Sequence, residues 1–457
     1  MRLSTHAVLF LVVLCSLLGC KADRDKGGHV DPAEPRYLSL TQRSDGGWIA
    51  VSVSPFDGSS DTLVIDCPLT NLIVMSTSHV GFLDALDALH CISGVSGPDF
   101  IYTAQTEGYM SSGSDSPDSS LRSALPTRFA SGPLPLTSRG WLRSGLARPD
   151  DNLKSSTLKE SKYSQKVLVS EDNATLGTSG GASRSEASEP PIPSDRGIFS
   201  PPADVGYDSA PDYEKIVGLK PDLLLTYAVS GAKSPFITKL EQLGIPVFIV
   251  NEHLESHPLA RASYIRLFGA LTGRMPQADS IFTAVKEAYS FIADSIATAK
   301  MPRRKVLLNI PYNDQWFVPS TDSYLTSLIR DAGGEVLGCE EGRAASSVMP
   351  VEKAYSLSKE ADCWLNVGWC TTLPQLLGVN PIFEDRVRNI RANAREMGYG
   401  SYPVIWNDNK RVNAKGGNDI WQSGVARPDL LLQDLVTVLH PDSQGESTGT
   451  IYYRPIN

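Results

Sequence analysis

Polar and aromatic side chains suited to a small-molecule pocket recur directly after short apolar runs of this sequence. The apolar runs have the length and composition of buried parallel strands. Open α/β sheets bind ligands beyond the carboxyl ends of their strands, so the residues after each run are the candidates. In the first half of the chain they are Ser78, His79, Tyr207, Tyr227, Ser230 and His253. In the second half they are Tyr312, Trp316, Trp369 and Asn407.

The chemistry of this set favours binding over catalysis. Aromatic faces bury ring area, whereas hydroxyl, N–H and amide groups fix orientation. A pocket of this composition suits a large, partly apolar ligand. Each aromatic residue, taken singly, could instead be a core or rim residue that does not contact a ligand.

Catalytic and metal-binding patterns are weak. The sequence contains no G-x-S-x-G elbow, H-E-x-x-H motif or G-x-x-x-x-G-K-[ST] loop. Glu252, His253, Glu255 and His257 could chelate a metal, but they sit at a predicted helix start, where a solvated charged cap is commoner. His79 could ligate a metal or haem, although a hydrogen-bonding histidine is the commoner case in a strand-to-helix loop. We therefore predict no catalytic residue, metal site or cofactor, and keep an extracytoplasmic enzyme using His79 as an alternative.

A long amphipathic stretch, residues 257–300, lies between the candidate ligand contacts of the first half of the chain and those of the second half. Its apolar residues recur at the three- and four-residue spacing of a helix with one buried face. Gly273 and Pro276 mark a break, so the stretch is one kinked helix or two abutting ones. We expect a rigid spine between an N-terminal lobe, residues 37–256, and a C-terminal lobe, residues 301–441. A surface helix within a single domain is the alternative.

The order of elements in each lobe predicts an α/β fold with parallel-rich sheets. Strands and helices alternate with short connections, which is the pattern of parallel strands. Residues 37–66 alternate apolar and polar side chains and predict short antiparallel strands before the first parallel one. Residues 442–457 are polar and are expected to form a loosely held tail.

Residues 104–202 interrupt the N-terminal lobe. They are dense in Ser, Gly, Pro and Thr and have few periodic apolar positions, so we expect a disordered surface insertion. An adhesin or scaffold whose function resides in this segment is a third alternative, which its low apolar content disfavours.

The N-terminus has the pattern of a lipoprotein signal. Arg2 precedes an apolar run at residues 7–19, which is too short to span a membrane. The run ends at Cys20 and resembles the bacterial site at which a cysteine is lipidated and becomes the new N-terminus. We predict a signal peptide over 1–19, a lipidated tether over 20–36, and an extracytoplasmic protein anchored to a bacterial cell membrane. A plain cleaved signal is the alternative.

The net charge and the cysteine count limit the possible partners and disulfide bonds. The formal charge of −9 argues against a nucleic-acid partner, because phosphate binding requires clustered Lys and Arg. Cys15 and Cys20 belong to the signal and its processing site, and the five that remain cannot all pair within the chain. Cys67 and Cys91 form the one pair to test as a disulfide, and buried free thiols are expected for all five.

Several motifs together resemble the substrate-binding lipoproteins of ABC importers for iron–siderophore, haem or cobalamin. The most specific are Leu-Lys-Pro-Asp-Leu at 219–223 and Asp-Ala-Gly-Gly at 331–334. The other matching stretches are residues 76–89, 94–99, 204–208, 305–312 and 414–421. The resemblance covers residues 37–442 except the insertion.

This resemblance implies a fold, a ligand class and partners. The fold is that of a class III periplasmic binding protein, in which one long helix joins two lobes. The implied ligand is a metal chelate, first an iron–siderophore complex, with haem or cobalamin as alternatives. The implied partner is an ABC permease/ATPase complex. The family docks on its permease through one acidic residue per lobe, and Glu214 and Glu352 match these positions.

Overall fold

Three antiparallel strands open the described part of the chain, as the alternation in residues 37–66 predicts. The computed structural model describes residues 31–102, 201–312, 315–341, 346–400, 402–441 and 449–457. The signal, Cys20 and the body of the predicted insertion lie outside these residues. The strands are β1 (Leu38–Gln42), β2 (Trp48–Val53) and β3 (Ser60–Ile65), with β2 between its neighbours.

The N-terminal lobe contains a five-stranded parallel sheet in the order β10-β9-β4-β5-β6. The strands are β4 (Leu72–Val74), β5 (Ile92–Val95), β6 (Ala203–Asp204), β9 (Leu223–Thr226) and β10 (Val247–Ile249). β7 (Gly206–Tyr207) and β8 (Ala210–Pro211) form a small antiparallel ribbon. The helices are α1 (Thr77–Ala85), α2 (Tyr213–Leu219) and α3 (Pro235–Gln242). Every residue of β4 and β9 is buried, because helices cover both faces of the sheet.

The predicted spine consists of three helices with a break where the sequence predicts one. They are α4 (Pro258–Ala262), α5 (Ile265–Thr272) and α6 (Met275–Ala299). Gly273 ends α5 in the left-handed conformation, at a φ of 70° that favours glycine. The 25 residues of α6 give it a length of about 37 Å, and it alone is the long inter-lobe helix.

The C-terminal lobe repeats the architecture with a sheet in the order β13-β11-β15-β16-β17. Its strands are β11 (Arg304–Leu308), β13 (Gly334–Val336), β15 (Cys363–Leu365), β16 (Ile405–Asn407) and β17 (Arg454–Pro455). Only β17 pairs antiparallel in this sheet. The helices are α7 (Tyr324–Asp331), α8 (Val351–Leu357), α9 (Leu373–Val379), α10 (Phe383–Glu396), α11 (Ser423–Ala426) and α12 (Pro428–Leu439). β12 (Gln315–Val318) and β14 (Ser347–Pro350) form a separate antiparallel ribbon. These two sheets and α6 confirm the predicted fold class.

The end of the chain is firmly held, so the expectation of a loose tail is wrong for residues 449–457. β17 adds to the edge of the sheet beside β16. Tyr452 and Tyr453 are buried. One carboxylate oxygen of Asp434 accepts the backbone N–H groups of both, at 2.6 Å and 3.1 Å. Residues 442–448 lie outside the described part.

The five cysteines among the described residues are all unpaired, which confirms the expectation of free thiols for them. Cys67 and Cys91, the pair singled out from the sequence, form no disulfide. Burial was expected of all five; it is wrong for the exposed Cys67, and Cys339 is only partly buried. Burial raises the pKa of the Cys363 thiol to about 12, so this group is inert as a nucleophile.

The two lobes contact each other directly as well as through α6. The contact joins residues 97–102, which follow β5, to residues 411–422, which follow β16, and we call it the clasp. The Tyr102 backbone N–H donates to Gln422 Oε1 at 2.7 Å. Asn413 Nδ2 donates to the carbonyls of Asp99 and Ile101, each at 3.0 Å. α1 packs against α11 beside it.

Glycine at position 81 allows this close approach of the lobes. A Cβ atom at Gly81 would lie 2.1 Å from the backbone oxygen of Gln422. That carbonyl is fixed backbone, so the lobes would have to separate to admit a methyl group.

We expect Gly81→Ala to lower the free energy of unfolding by about 1–3 kcal/mol, the usual cost of overpacking. Gly218→Ala is the matched control, because Gly218 is also helical and has no atom within 4 Å of the added Cβ. Chemical denaturation of both variants measures the difference. Equal stability of the two would contradict the described lobe contact.

Candidate functional site

Both parallel sheets have a point at which the strand order reverses. In the N-terminal sheet the reversal lies between β4 and β9, and in the C-terminal sheet it lies between β11 and β15. Adjacent connections leave on opposite faces at such a point and open a crevice beyond the strands. Six of the ten residues predicted as ligand contacts follow these four strands. They are Ser78, His79, Tyr227, Ser230, Tyr312 and Trp369.

The clasp joins the carboxyl edges of the two sheets. Its N-terminal part follows β5 at the carboxyl edge of one sheet, and its C-terminal part follows β16 at the carboxyl edge of the other. We give the name ligand edge to the candidate side chains beyond these edges. They are Tyr207, Tyr227, Ser230 and His253 in the N-terminal lobe and Tyr312 and Trp369 in the C-terminal lobe.

In the N-terminal lobe the ligand edge is formed by Tyr227, His253, Ser230 and Tyr207. The Tyr227 and His253 rings meet edge to face at 5.8 Å. His253 Nε2 lies 3.0 Å from the Ala228 carbonyl, which holds the ring beside this loop. Ser230 and Tyr207 are exposed, whereas Tyr227 and His253 are half-buried. The structure therefore brings Tyr227 and His253 together.

In the C-terminal lobe the ligand edge presents Tyr312 and Trp369. Their side chains are 70% and 65% exposed, which is unusual for aromatic residues of this size. The two loops are neighbours, because a Cβ at Gly368 would lie 2.8 Å from Ile310 Cδ1. Large exposed rings on adjacent loops are available to a ligand.

Asn407 supports Trp369 and does not itself face the crevice. It is fully buried, and its Nδ2 donates to the carbonyls of Gly368 and Cys370, each at 2.8 Å. These carbonyls flank Trp369 in the chain. The structure thus makes Asn407 a positioning residue, in place of the ligand contact expected from the sequence.

Trp316 belongs to the core, which corrects its prediction as a ligand contact. It is 1% exposed, its indole N–H donates to the Leu308 carbonyl at 2.7 Å, and its ring stacks on Trp364 at 6.3 Å. The sequence offered no signal for the β12–β14 ribbon. In β12 alternate residues are buried, and Trp316 takes an inward position.

Ser78 and His79 are also turned inward, so neither contacts a ligand directly in this structure. They are 2% and 0% exposed. They lie in the first turn of α1, which places them beneath the ligand edge. Ser78 Oγ donates to Glu252 Oε1 at 2.6 Å, and His79 Nε2 lies 3.8 Å from Glu252 Oε2.

Glu252 is the centre of this buried polar cluster. Arg261 Nη2 lies 3.7 Å from Glu252 Oε1, and His253 Nδ1 lies 3.8 Å from Oε2. Burial alone would raise the pKa of Glu252, but contacts with His253, His79 and Arg261 hold it well below its ordinary value of 4.5. The Arg261 guanidinium also lies 5.1 Å from the centre of the Tyr324 ring in the other lobe. The cluster therefore supports the ligand edge and links the lobes.

The cluster does not have the geometry of a metal site. Across the described part of the chain, no three His, Cys, Asp or Glu side chains converge closely enough to hold a metal ion. In Glu252, one oxygen accepts from Ser78 and the other has no hydrogen-bond partner in the structure. Its ionic neighbours are cationic Arg261 and two histidines.

We expect Glu252→Gln to cost about 3–5 kcal/mol near neutral pH, because it leaves Arg261 buried without its charge partner. A carboxylate with a lowered pKa stabilises the fold above its unfolded pKa and loses that contribution as the pH falls. The stability of Glu252→Gln should accordingly fall less steeply than that of wild type below about pH 4.5.

Urea denaturation across this pH range measures both effects. Glu241→Gln is the control, because Glu241 pairs with Lys233 at an exposed site where an ion pair contributes about 0–1 kcal/mol. A Glu252→Gln variant with wild-type stability and pH slope would show that the cluster is not a charged anchor.

Glu214 and Glu352 are exposed on outer helices, one in each lobe. Each lies in the first turn of its helix, α2 for Glu214 and α8 for Glu352. An acidic residue at a helix start complements the helix dipole, and an exposed one also offers its charge to a partner.

Two exposed aromatic residues near the clasp were missed by reading the sequence. Phe100 and Trp421 are 45% and 47% exposed. Trp421 lies in the short 3-10 turn after Asn418, within the Gly-Gly-Asn-Asp-Ile-Trp stretch. A glycine-rich turn that ends in an aromatic residue could have indicated an exposed ring here, although the turn follows no apolar run.

A surface concavity of about 520 Å³ lies away from all of these residues. It is formed by residues 31–34 and α6 and contains none of the predicted ligand contacts. Its lining includes Asp31, Arg266, Phe282, Lys286 and Glu287.

Comparison with known proteins finds similarity to the class of binding protein that the motifs resemble. A family model described as periplasmic binding protein matches residues 174–385. An uncharacterized lipoprotein of Methanocaldococcus jannaschii is 28% identical over 247 residues, which are 52% of this chain and 53% of that protein. The chain thus spans about half the length of this curated relative.

Several solved periplasmic binding proteins match this chain at low sequence identity. One from Veillonella parvula has a TM-score of 0.47 at 13% identity, covering 86% of this chain and 98% of that chain. A periplasmic heme binding protein from Pseudomonas aeruginosa has a TM-score of 0.46 at 13% identity, covering 85% and 98%. An ABC-type Fe3+-hydroxamate transport system protein from Saccharomonospora viridis has a TM-score of 0.43 at 11% identity, covering 84% and 97%.

Proposed function

We propose that this chain, whose residues 174–385 match the periplasmic binding protein family, is the extracytoplasmic substrate-binding protein of an ABC importer. It captures a metal chelate, first an iron–siderophore complex, with haem or cobalamin as alternatives, and delivers it to the permease. The observation that carries the proposal is the position of aromatic residues at the reversal points of both sheets, half-buried Tyr227 in one lobe and exposed Tyr312 and Trp369 in the other.

The chemistry of the ligand edge supports a large ligand with apolar faces and polar groups. Trp369, Tyr312, Tyr227 and Tyr207 supply ring area, and their N–H and O–H groups can orient the ligand. The residues lie on both lobes, so a ligand between them would contact both. Asn407 binds the backbone beside Trp369, and the cluster around Glu252 packs under the ligand edge of the N-terminal lobe. These contacts keep the proposed binding surface preorganised.

An enzyme that uses His79 is the alternative from another class, and the structure argues against it. His79 is fully buried, so a substrate does not reach its ring. Its acidic neighbour Glu252 is held by Ser78 and Arg261. A nucleophile with a base and an accessible reacting position is the minimum for catalysis, and the described residues around His79 do not supply it.

Trp369→Ala should weaken ligand binding by about 2 kcal/mol, roughly thirtyfold, because a central aromatic anchor is lost. Its stability should change by about 0.5 kcal/mol or less, since the ring is exposed. Trp316→Ala is the contrasting variant and should cost about 3–5 kcal/mol of stability, because its ring is buried.

Fluorescence titration with a ferric siderophore, haem and cyanocobalamin, together with thermal melting, separates the two effects. Trp369→Ala with wild-type affinity for a ligand that the protein binds would place the site elsewhere.

Glu214 and Glu352 are proposed to dock the two lobes on the two permease subunits. Charged contacts of this kind set association rate and register more than ligand affinity. We expect the Glu214→Ala, Glu352→Ala double variant to bind ligand normally and to transport it more slowly in vesicles containing the partner permease. Each single variant should be less impaired. Normal transport by the double variant would leave the two residues with a helix-dipole role only.

The lipid anchor is proposed at Cys20, on the pattern of the N-terminal segment and the naming of the 28% identical relative as a lipoprotein. An acylated Cys20 would place the lobes outside the cytoplasm, tethered by residues 20–36. Cys20→Ala should release the mature protein into the soluble fraction or leave it unprocessed. Mature Cys20→Ala protein that still sediments with membranes would refute the anchor.

A further inference from the structure

The tip of the β2–β3 hairpin reaches the ligand edge, although it precedes both parallel sheets in the chain. Phe56 lies in this turn and is 46% exposed. A Cβ at Gly231 would lie 3.1 Å from Phe56 Cβ and 3.6 Å from Asp57 Cβ. Gly231 follows Ser230 in the loop after β9, so the turn and this loop are in contact.

The turn is held in one conformation by its own hydrogen bonds. The Ser54 N–H donates to the Ser59 carbonyl at 2.8 Å, and the Gly58 N–H donates to the Ser54 carbonyl at 3.0 Å. Asp57 Oδ1 accepts from the Ser59 N–H at 3.1 Å and from its hydroxyl at 2.8 Å. The Phe56 ring is therefore carried on an ordered support, which lowers the entropic cost of using it as a contact.

The turn end of the hairpin is fixed to the carboxyl edge of the N-terminal sheet. Asn251, two residues after β10, is buried, and its Nδ2 donates to Ser52 Oγ at 3.2 Å and to the Val53 carbonyl at 3.1 Å. Ser52 and Val53 are the last residues of β2. This contact sets the height of the tip above the sheet, at the level of the loop that carries Tyr227 and Ser230.

The tip and the neighbouring loop each expose an apolar side chain. Val229, in the loop that contains Gly231 and Tyr227, is 72% exposed, and Phe56 is 46% exposed. Glycine at position 231 lets the turn approach this closely, because any larger side chain would meet Phe56 and Asp57.

We propose that Phe56 is a further ligand contact that selects for an apolar face of the bound chelate, such as an aromatic ring or the edge of a macrocycle. This inference rests on the proposed function. It adds an element from outside the two lobe sheets to the binding surface, and it assigns a role to the small residue at position 231.

Phe56→Ala in the full chain tests the inference, with Phe291→Ala as the matched control. Phe291 is also a half-exposed phenylalanine, at 53%, but it lies on α6 away from the ligand edge. The probes are a catecholate ferric siderophore, a hydroxamate ferric siderophore, haem and cyanocobalamin. For the probe that wild type binds, Phe56→Ala should weaken affinity about tenfold, Phe56→Leu by less, and Phe291→Ala not at all. All three should melt like wild type, since both rings are exposed.

The outcomes separate this inference from the function on which it rests. If Trp369→Ala weakens binding and Phe56→Ala does not, the substrate-binding function stands and the role of Phe56 is refuted. Equal weakening in Phe56→Ala and Phe291→Ala also refutes it, because the effect would then not depend on the ligand edge. If wild type binds none of the probes, the proposed function fails and the inference fails with it.

Discussion

Because neighbouring strands in the two main sheets run almost entirely parallel, every connection between them must cross a face of its sheet. The carboxyl ends of the strands then collect at one edge, and the loops after them become neighbours even when they are far apart in sequence. Each sheet grows outward from its first strand on both sides, so each has one reversal point. The position of the binding surface follows from this pairing.

The second feature that shapes the molecule is the number of connections between its lobes. α6 joins them along the chain, the clasp joins the loops at their carboxyl edges, and Arg261 extends from the Glu252 cluster to the Tyr324 ring. Opening the lobes widely would break the hydrogen bonds of the clasp and expose the backbone of Gln422, which packs on Gly81. The structure is therefore suited to small changes between free and bound states, in which a preformed surface receives its ligand.

The elements with strong periodicity could be predicted from the sequence, and the direction of several side chains could not. α12 can be recognised in the sequence, since a proline at its start and a regular apolar face define it. α10 was missed even though Phe383, Val387, Ile390 and Ala394 are buried at helical spacing, because charged residues surround them.

Within the predicted site, the sequence correctly placed some side chains at the surface and misplaced others. Tyr312 and Trp369 were found because they follow apolar runs directly, and they are exposed. Ser78 and His79 also follow such a run, but the first turn of α1 directs them inward to Glu252, a partner 173 positions from His79. The spacing of residues near His79 in the sequence does not predict a contact with a residue so far along the chain. The hydrogen bonds from the end of the chain to Asp434 could not be predicted either, because the polar composition of the last residues indicated a loose tail.

We propose that this protein binds a metal chelate or corrinoid between its two lobes without transforming it. Native mass spectrometry with an absorption spectrum, applied to protein purified from its own host, tests this most directly. We expect a bound species at one per chain, whose mass and spectrum match a ferric siderophore, haem or a corrinoid and which is recovered unchanged. Protein that carries no such species, and that takes up none when these compounds are added, would contradict it.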